Sequence, residues 1–235
     1  MEASGRLSDH DHPLIRAKAE ELTGGRHAGR DSLARIFGFV RDDIRFGFPP
    51  KWDAVRASET IGYGLGTCNT KATLLVALCR ASGIPARIHA GLISIEIMRG
   101  VFPSVAFPFL PRAGSHSWSE VQLDDEWNPI DSYINDKPFY DAALLWLRQS
   151  GRATGFSISQ AKGPSSCELN FGEEGFVQMG AVVEDHGTWN DFSEYMSSTR
   201  YFRMNRMQLA SYPWLAWMSN LRIARIQSGP GATPR

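Results

Sequence analysis

The stretch Gly66-Thr67-Cys68-Asn69-Thr70-Lys71-Ala72, followed by an apolar run that ends at Gly83, decides the fold of this chain. Glycines precede the run and Pro85 follows it, which predicts a helix entered through a loop and capped by a glycine. Cys68 then lies in the first turn of a largely buried helix. There the unpaired amides and the helix dipole favour a thiolate. The sequence therefore predicts a cysteine nucleophile, and the next question is which residue acts as its base.

A second segment, residues 115–131, supplies the candidate base. It is predicted to form two strands joined at Asp124-Asp125, so that Trp118 pairs with Asp131. Alternation along the strands places His116, Trp118 and Asp131 on one face, with Asp131 diagonal from His116 and within reach of its ring. Cys68 is then the nucleophile, His116 the group that accepts its proton, and Asp131 the group that fixes the tautomer.

These motifs resemble those of the transglutaminase-like superfamily. The resemblance rests on Gly66-Thr67-Cys68 with the helix that follows, on His116-Ser117-Trp118-Ser119-Glu120-Val121, and on the closing Asp131, and it covers about residues 30 to 135. It implies an α+β fold with a papain-like core, in which the nucleophile helix packs on an antiparallel sheet. It also implies acyl transfer: a thiolate attacks an amide or ester carbonyl, and the acyl-enzyme passes to an amine or to water.

Two features depart from the family pattern. Asp131-Ser132-Tyr133 stands where the family often has Asp-Pro-Thr, and no Gln or Asn occurs in the dozen residues before Cys68. The backbone amide of Cys68 can donate one hydrogen bond to an oxyanion. The second donor stays open, with Trp52 and Tyr63 as candidates and Trp118 as a further pocket residue.

Composition is compatible with a globular enzyme and excludes several other classes. The chain has 235 residues, with 25 basic and 25 acidic side chains, so no net charge attracts it to nucleic acid or to a membrane. An odd number of widely spaced cysteines argues against a disulfide framework and, together with the absence of a secretory segment near Met1, predicts a cytoplasmic protein. Cys79 is expected to be inert core. Neither a metal nor a cofactor is predicted, because His10-Asp11-His12 has no further spaced ligands.

Four regions are expected along the chain. Residues 1–12 form a mobile lead-in, residues 13–135 the catalytic core, residues 136–226 a C-terminal α/β extension packed on the core, and residues 227–235 a disordered tail. Within the core, helices are predicted at 13–23 and 31–43, a loop from Phe46 to Cys68, and a strand from Ala86 to Ile95.

Two aromatic segments leave alternatives open. Phe102, Phe107 and Phe109 lie in a proline-rich stretch just before the strand of His116. They could form a substrate-facing wall or lid, or a surface loop folded on its own aromatics. Trp214 and Trp217 lie in a predicted C-terminal helix; docking on the domain is expected, with a dimer face or lipid contact as the other readings.

The sequence predicts an enzyme that acts on an amide or ester of a small molecule or peptide. Hydrolysis and transfer to an amine share the acyl-enzyme, so the triad does not separate them, and small-molecule amide formation is one variant. The alternative is a binding or scaffold module that kept the fold and lost turnover. Because Cys68, His116 and Asp131 are all present, the enzyme is the favoured hypothesis. The oligomeric state is not predicted.

Overall fold

A computed structural model describes residues 5–25, 29–170 and 176–228 of the protein, and it is a mixed α+β structure as predicted. The α-helices are α1 (Pro13–Thr23), α2 (Arg30–Gly38), α3 (Ala57–Tyr63), α4 (Cys68–Ala81), α5 (Lys137–Gln149), α6 (Phe192–Ser197) and α7 (Arg206–Gln227). The strands are β1 (Arg45–Phe46), β2 (Leu65–Gly66), β3 (Ala86–Ser94), β4 (Ala113–Leu123), β5 (Glu126–Ile130), β6 (Thr154–Gly155), β7 (Ile158–Ser159) and β8 (Val182–Trp189). Short 3-10 turns lie at Ile95–Met98, Ser104–Phe109 and Met179–Ala181, and a π-helical turn, Phe39–Asp43, extends α2.

The main sheet has four antiparallel strands in the order β5-β4-β3-β8. In the β4–β5 hairpin Leu123 pairs with Glu126, and both turn residues, Asp124 and Asp125, have left-handed backbones with φ of 52° and 64°. Two consecutive left-handed residues are typical of the two-residue turn that suits the twist of paired strands. The predicted turn and register are therefore confirmed. The ladder ends at the pair Ser119–Ile130, which leaves Asp131 as the first residue beyond the strand.

Helix α4 packs on this sheet and begins at Cys68, as predicted. The hydroxyl of Thr70 accepts a hydrogen bond from the amide of Thr67 at 2.9 Å, which fixes the entry into the helix. On the sheet side, the hydroxyl of Ser119 in β4 donates to the carbonyl oxygen of Ala72 at 3.4 Å. The apolar run Leu74–Leu78 is fully buried, so the helix lies inside the core and its first turn is held against the sheet.

The described residues of 136–170 and 176–228 pack on the core at several points. Strand β8 pairs with β3 and forms one edge of the main sheet. Helix α7 is fastened to the segment after β1, because the side chain of Asn220 exchanges two hydrogen bonds with the backbone of Phe48 and the hydroxyl of Tyr212 donates to the carbonyl oxygen of Pro49. These contacts hold Phe48 and Pro49 in place.

Three expectations about chain organisation need correction. Residues 5–12 are not a mobile lead-in: Leu7 and Ser8 are buried, and their backbone amides donate to the carboxylate of Asp191, which also caps α6. Gln227 is the last residue of α7 and bonds Asp136 instead of starting a disordered tail. The segment between Phe46 and Cys68 contains α3 and β2 and is not only a loop. Residues 1–4 and 229–235 lie outside the described residues.

The docking expected of Trp214 and Trp217 is also wrong. Their side chains are 53% and 59% exposed, and α7 contacts the core instead through Tyr212, Ala216 and the isoleucines Ile223 and Ile226. Two tryptophans three residues apart lie on one helix face, and here that face is turned to solvent. Within the described chain, the helices are too short or too polar to cross a lipid bilayer.

Candidate active site

Cys68, the first residue of α4, opens on a cavity of about 60 Å³. The apolar part of the wall includes Phe46, Phe48, Ile93, Ile97, Met98 and Phe102. Side chains with polar groups line it too, among them Trp52, Asp53, Asn69, Ser115 and Gln178. The surface exposed inside is almost entirely apolar. An apolar lining with a few polar side chains is typical of small-molecule sites.

The thiol of Cys68 is held in its protonated form in this structure. Burial and the charge of Asp53 raise the pKa of Cys68 to about 12, although the backbone amides of Ser117, Asn69 and Cys68 itself favour the thiolate. The expectation of a lowered pKa at a helix N-terminus is therefore wrong for the resting protein, because burial and a nearby carboxylate outweigh the amides. The contact with the amide of Ser117 places the sulfur beside β4, next in sequence to His116.

His116 is buried in the middle of β4, and neither of its ring nitrogens has a hydrogen-bond partner. Its ring lies 5.7 Å from that of Trp118, centroid to centroid. Burial lowers the pKa of His116 to about 3, so the imidazole is neutral at physiological pH. Buried polar atoms without a partner are rare in folded proteins and call for an explanation. His116 is not among the described residues that line the cavity, and its predicted role as the base stays a prediction.

Asp131 does not bond His116 in this structure. Its carboxylate accepts hydrogen bonds from the backbone amides of Val177, Gln178 and Met179, at 2.8, 2.6 and 2.9 Å. Burial raises the pKa of Asp131 to about 6, and these three hydrogen bonds oppose the shift, which leaves the group ionised at pH 7. In this structure Asp131 holds residues 177–179 through these hydrogen bonds. One of those residues, Gln178, lines the cavity. Its predicted catalytic role stays a prediction.

The three candidate oxyanion or pocket residues lie in different surroundings, and only one of them lines the cavity. Trp52 lines the cavity, packs edge-on against Tyr212 at 5.0 Å between centroids, and leaves its indole nitrogen without a hydrogen-bond partner. Tyr63 ends α3 and is not among the described residues that line the cavity. Trp118 stacks on His89 at 4.2 Å and likewise does not line it.

The three phenylalanines of the aromatic segment also differ from one another. Phe102 is buried and lines the cavity, Phe107 lies beneath the guanidinium of Arg99 at 4.5 Å, and Phe109 is 82% exposed. The segment is thus part cavity wall and part surface loop, and neither alternative describes it whole.

A buried polar cluster at the same cavity was not predicted. The carboxylate of Asp53 accepts hydrogen bonds from the hydroxyls of Ser115 (2.7 Å) and Tyr201 (2.9 Å), and Asn69 donates to the Ser115 hydroxyl at 3.1 Å. Burial raises the pKa of Asp53, while hydrogen bonds from its neighbours oppose the rise. Asn69 and Ser115 adjoin Cys68 and His116 in sequence and could have been suspected. The pairing of Asp53 with Tyr201 joins residues 148 positions apart, and no local pattern signals it.

The other cysteines do not take part in the site. Cys68, Cys79 and Cys167 are free thiols, and Cys79 is fully buried within α4, as expected of a core residue. Over residues 5–25, 29–170 and 176–228, histidines, cysteines and carboxylates form no group of three that could hold a metal ion.

Comparison with known proteins supports the fold. Residues 16–132 match the family model of the transglutaminase-like superfamily. Several solved structures are similar in part. One, from Cytophaga hutchinsonii, is described as a "putative cysteine protease" (20% identity, TM-score 0.41, 53% of this chain and 38% of that one). Another is a "putative protease" from Parabacteroides distasonis (13%, 0.35, 52% and 25%). A third is a TGase (17%, 0.34, 56% and 32%).

Residues 16–132 are a core of the transglutaminase-like superfamily, which confirms the resemblance read from the motifs of Cys68, His116 and Asp131. This is a cysteine-based catalytic fold. The chain spans 25% to 38% of the length of the three solved proteins, so their activities are not transferred to it. None of the curated protein sequences compared with the chain matches it.

Proposed function

We propose that this protein is a cysteine acyltransferase or amide hydrolase that acts on an amide or ester of a small molecule or short peptide. The observation that carries the proposal is the position of Cys68. It begins a buried helix, opens on the cavity, and meets the backbone amide of Ser117, the residue after His116. A nucleophile needs a carbonyl within reach, and this position supports that. The role of His116 as the base rests on its motif, because neither of its ring nitrogens bonds the thiol in the resting protein.

The reaction starts from two neutral groups. As the sulfur of Cys68 attacks the carbonyl carbon, its proton passes to the imidazole of His116 and the carbonyl oxygen becomes an oxyanion. Collapse of this intermediate breaks the bond to the amine or alcohol, which leaves with the proton from His116. Water or an amine then attacks the thioester, forms the acid or amide, and returns the thiol. Because the pKa values of about 12 and about 3 keep thiol and imidazole neutral at rest, proton transfer accompanies the attack.

Two donors are proposed for the oxyanion. The first is the backbone amide of Cys68 at the start of α4. The second is the indole N–H of Trp52, a residue of the cavity wall, whose nitrogen is buried in the resting protein and must become accessible to the carbonyl oxygen. We set Tyr63 aside as a donor because it does not line the cavity. Since the reaction needs a free thiol at Cys68, we also propose a reducing compartment such as the cytoplasm.

A binding module is the second candidate function, and two observations favour it. Asp131 is bonded to residues 177–179 rather than to His116, and the thiol is not activated at rest. A protein that had lost turnover could keep the cavity as a ligand site in this state.

Stopped-flow measurement of p-nitrophenol release from p-nitrophenyl acetate distinguishes the two. We expect wild type to give a burst equal to the enzyme concentration, Cys68→Ala to give none, and Cys79→Ala to match wild type. An added amine should speed the steady phase if transfer competes with hydrolysis. Equal release by wild type and Cys68→Ala would contradict the enzyme proposal and leave the binding module.

A further inference from the structure

We propose that the cavity beside Cys68 is an acyl-binding site for an uncharged, apolar acyl group, either an aliphatic chain or an aromatic ring. The inference rests on the proposed function and names the acyl half of its substrate. It separates this protein from an enzyme that accepts a polar carboxamide side chain or a carboxylate in that place.

The wall of the cavity is largely apolar. Phe46 and Phe48 form one part, and the backbone of Phe48 is fixed by Asn220 of α7. Ile93 and Met98, with the turn between them, and Phe102 form another part. An apolar acyl group that enters this space removes carbon surface from water on both sides, which is favourable by about 25 cal/mol per Å².

Most polar groups of the cavity wall are already paired within the protein. Asp53 accepts from Ser115 and Tyr201, Asn69 donates to Ser115, and the amide nitrogen of Gln178 donates to Ser157. A polar acyl side chain would lose its hydration and find few free partners here, and unpaired burial of a polar group is unfavourable.

Three unpaired polar atoms remain among the described lining residues: the indole nitrogen of Trp52, the hydroxyl of Thr67 and the side-chain oxygen of Gln178. They comprise a donor, a hydroxyl that can donate or accept, and an acceptor. All three atoms are buried, so the surface that an acyl group meets inside the cavity is apolar.

The charges of the cavity wall do not favour a carboxylate on the acyl group. Neither lysine nor arginine is among the described residues that line the cavity, and its one acidic side chain is Asp53. A carboxylate on the acyl group would therefore have no counter-ion, and it would lie in the same cavity as a second carboxyl group. Burying such a charge is strongly unfavourable.

The test is the rate at which p-nitrophenyl acetate, butyrate, hexanoate, benzoate and hydrogen succinate acylate Cys68. Each added methylene that is fully buried corresponds to about 0.8 kcal/mol, or about fourfold in rate constant. We therefore expect the second-order rate constant of hexanoate to exceed that of acetate by about tenfold or more. Benzoate should also be accepted, and succinate should react more slowly than butyrate.

Two variants tie this preference to the cavity. Met98→Trp fills the space and should bring the ratio of the hexanoate to the acetate rate constant close to one, and Leu145→Trp on the exposed face of α5 is the matched control. Ile95→Lys places a cation in the wall and should raise the rate with succinate relative to butyrate. Circular dichroism checks that each variant is folded.

The outcomes separate the inference from the proposed function. A rate that rises with chain length and flattens in Met98→Trp supports the inference. Acylation of Cys68 at equal rates by all esters, or fastest by succinate, overturns the inference but leaves the cysteine mechanism in place. No acylation of Cys68 by any of the esters overturns both.

Discussion

The transglutaminase-like core and the C-terminal part of this chain contribute differently to one site. The core, residues 16–132, supplies Cys68, His116 and Asp131. The C-terminal part supplies the groups that hold the site in shape: the amides of 177–179 bond Asp131, the hydroxyl of Tyr201 bonds Asp53, and α7 fastens Phe48 and Pro49. The match to the family model ends at residue 132, whereas residues that hold the site in shape lie beyond it. Changes in the core should act on chemistry, and changes to its contacts with the C-terminal part should act on stability as well.

The largest expected effect is the loss of chemistry without loss of stability. Cys68→Ala should abolish acyl-enzyme formation, and His116→Ala should lower its rate by about 10³-fold or more, because the nucleophile and base act as a unit. Cys68→Ala should leave the urea midpoint almost unchanged, since the residue is partly exposed. Mass spectrometry of the acylated protein and urea unfolding measure the two effects. A large drop in the urea midpoint of Cys68→Ala would contradict the expectation that changes at Cys68 affect chemistry and not stability.

Asp131→Asn tests the contact between the two parts. The amide has one oxygen where the carboxylate has two, and its NH₂ group would face a backbone N–H, so we expect a loss of about 2–4 kcal/mol in the free energy of unfolding. Urea unfolding at pH 7 measures this loss of stability. Asp141→Asn, at an exposed position of α5, is the control. If the variant is as stable as wild type and only turnover is slowed, Asp131 acts by orienting His116 in solution, and the contacts with 177–179 matter little.

Asp53→Asn tests how a residue held by the C-terminal part acts on the nucleophile. Because the charge of Asp53 contributes to the raised pKa of Cys68, its removal should lower that pKa. We expect iodoacetamide to label Cys68 about 3–10 times faster at pH 8, since one pKa unit is a tenfold change in thiolate. Asp185→Asn, an exposed carboxylate on β8, is the matched control. An unchanged labelling rate in Asp53→Asn would show that Asp53 is protonated at this pH.

The smallest expected effect concerns His89, which lies on the same sheet face as His116. Burial lowers the pKa of His89, but hydrogen bonds to Glu120 and Asp185 more than offset this and raise it above 6.5. A raised pKa in the folded state stabilises the protein below about pH 6.5, and this stabilisation is lost as the pH rises through the folded-state value. His89→Gln should remove at most about 1 kcal/mol of that pH dependence. A variant whose stability falls with pH as steeply as wild type would contradict this assignment.

Much of the core could be predicted from local pattern. The apolar run after Cys68 between glycine-rich ends predicts α4, and the alternation around Asp124-Asp125 predicts the hairpin and its register, because both depend on residues close in sequence. The bonds of Asp131 to 177–179 and of Asp53 to Tyr201 depend on how distant segments meet. The pKa of Cys68 could not be predicted for the same reason: the helix start is local, while burial and the charge of Asp53 are tertiary. Trp214 and Trp217 show that an apolar helix face need not be the packed one.

Peptide mapping of the protein after rapid acid quench of its reaction with p-nitrophenyl acetate tests whether Cys68 is the nucleophile. We expect one acetyl group per chain, on Cys68, removed by neutral hydroxylamine as a thioester is, and absent from Cys68→Ala. An adduct on Cys167, on a lysine or on no residue, with Cys68 unmodified at every time point, would contradict the assignment of Cys68 as the nucleophile.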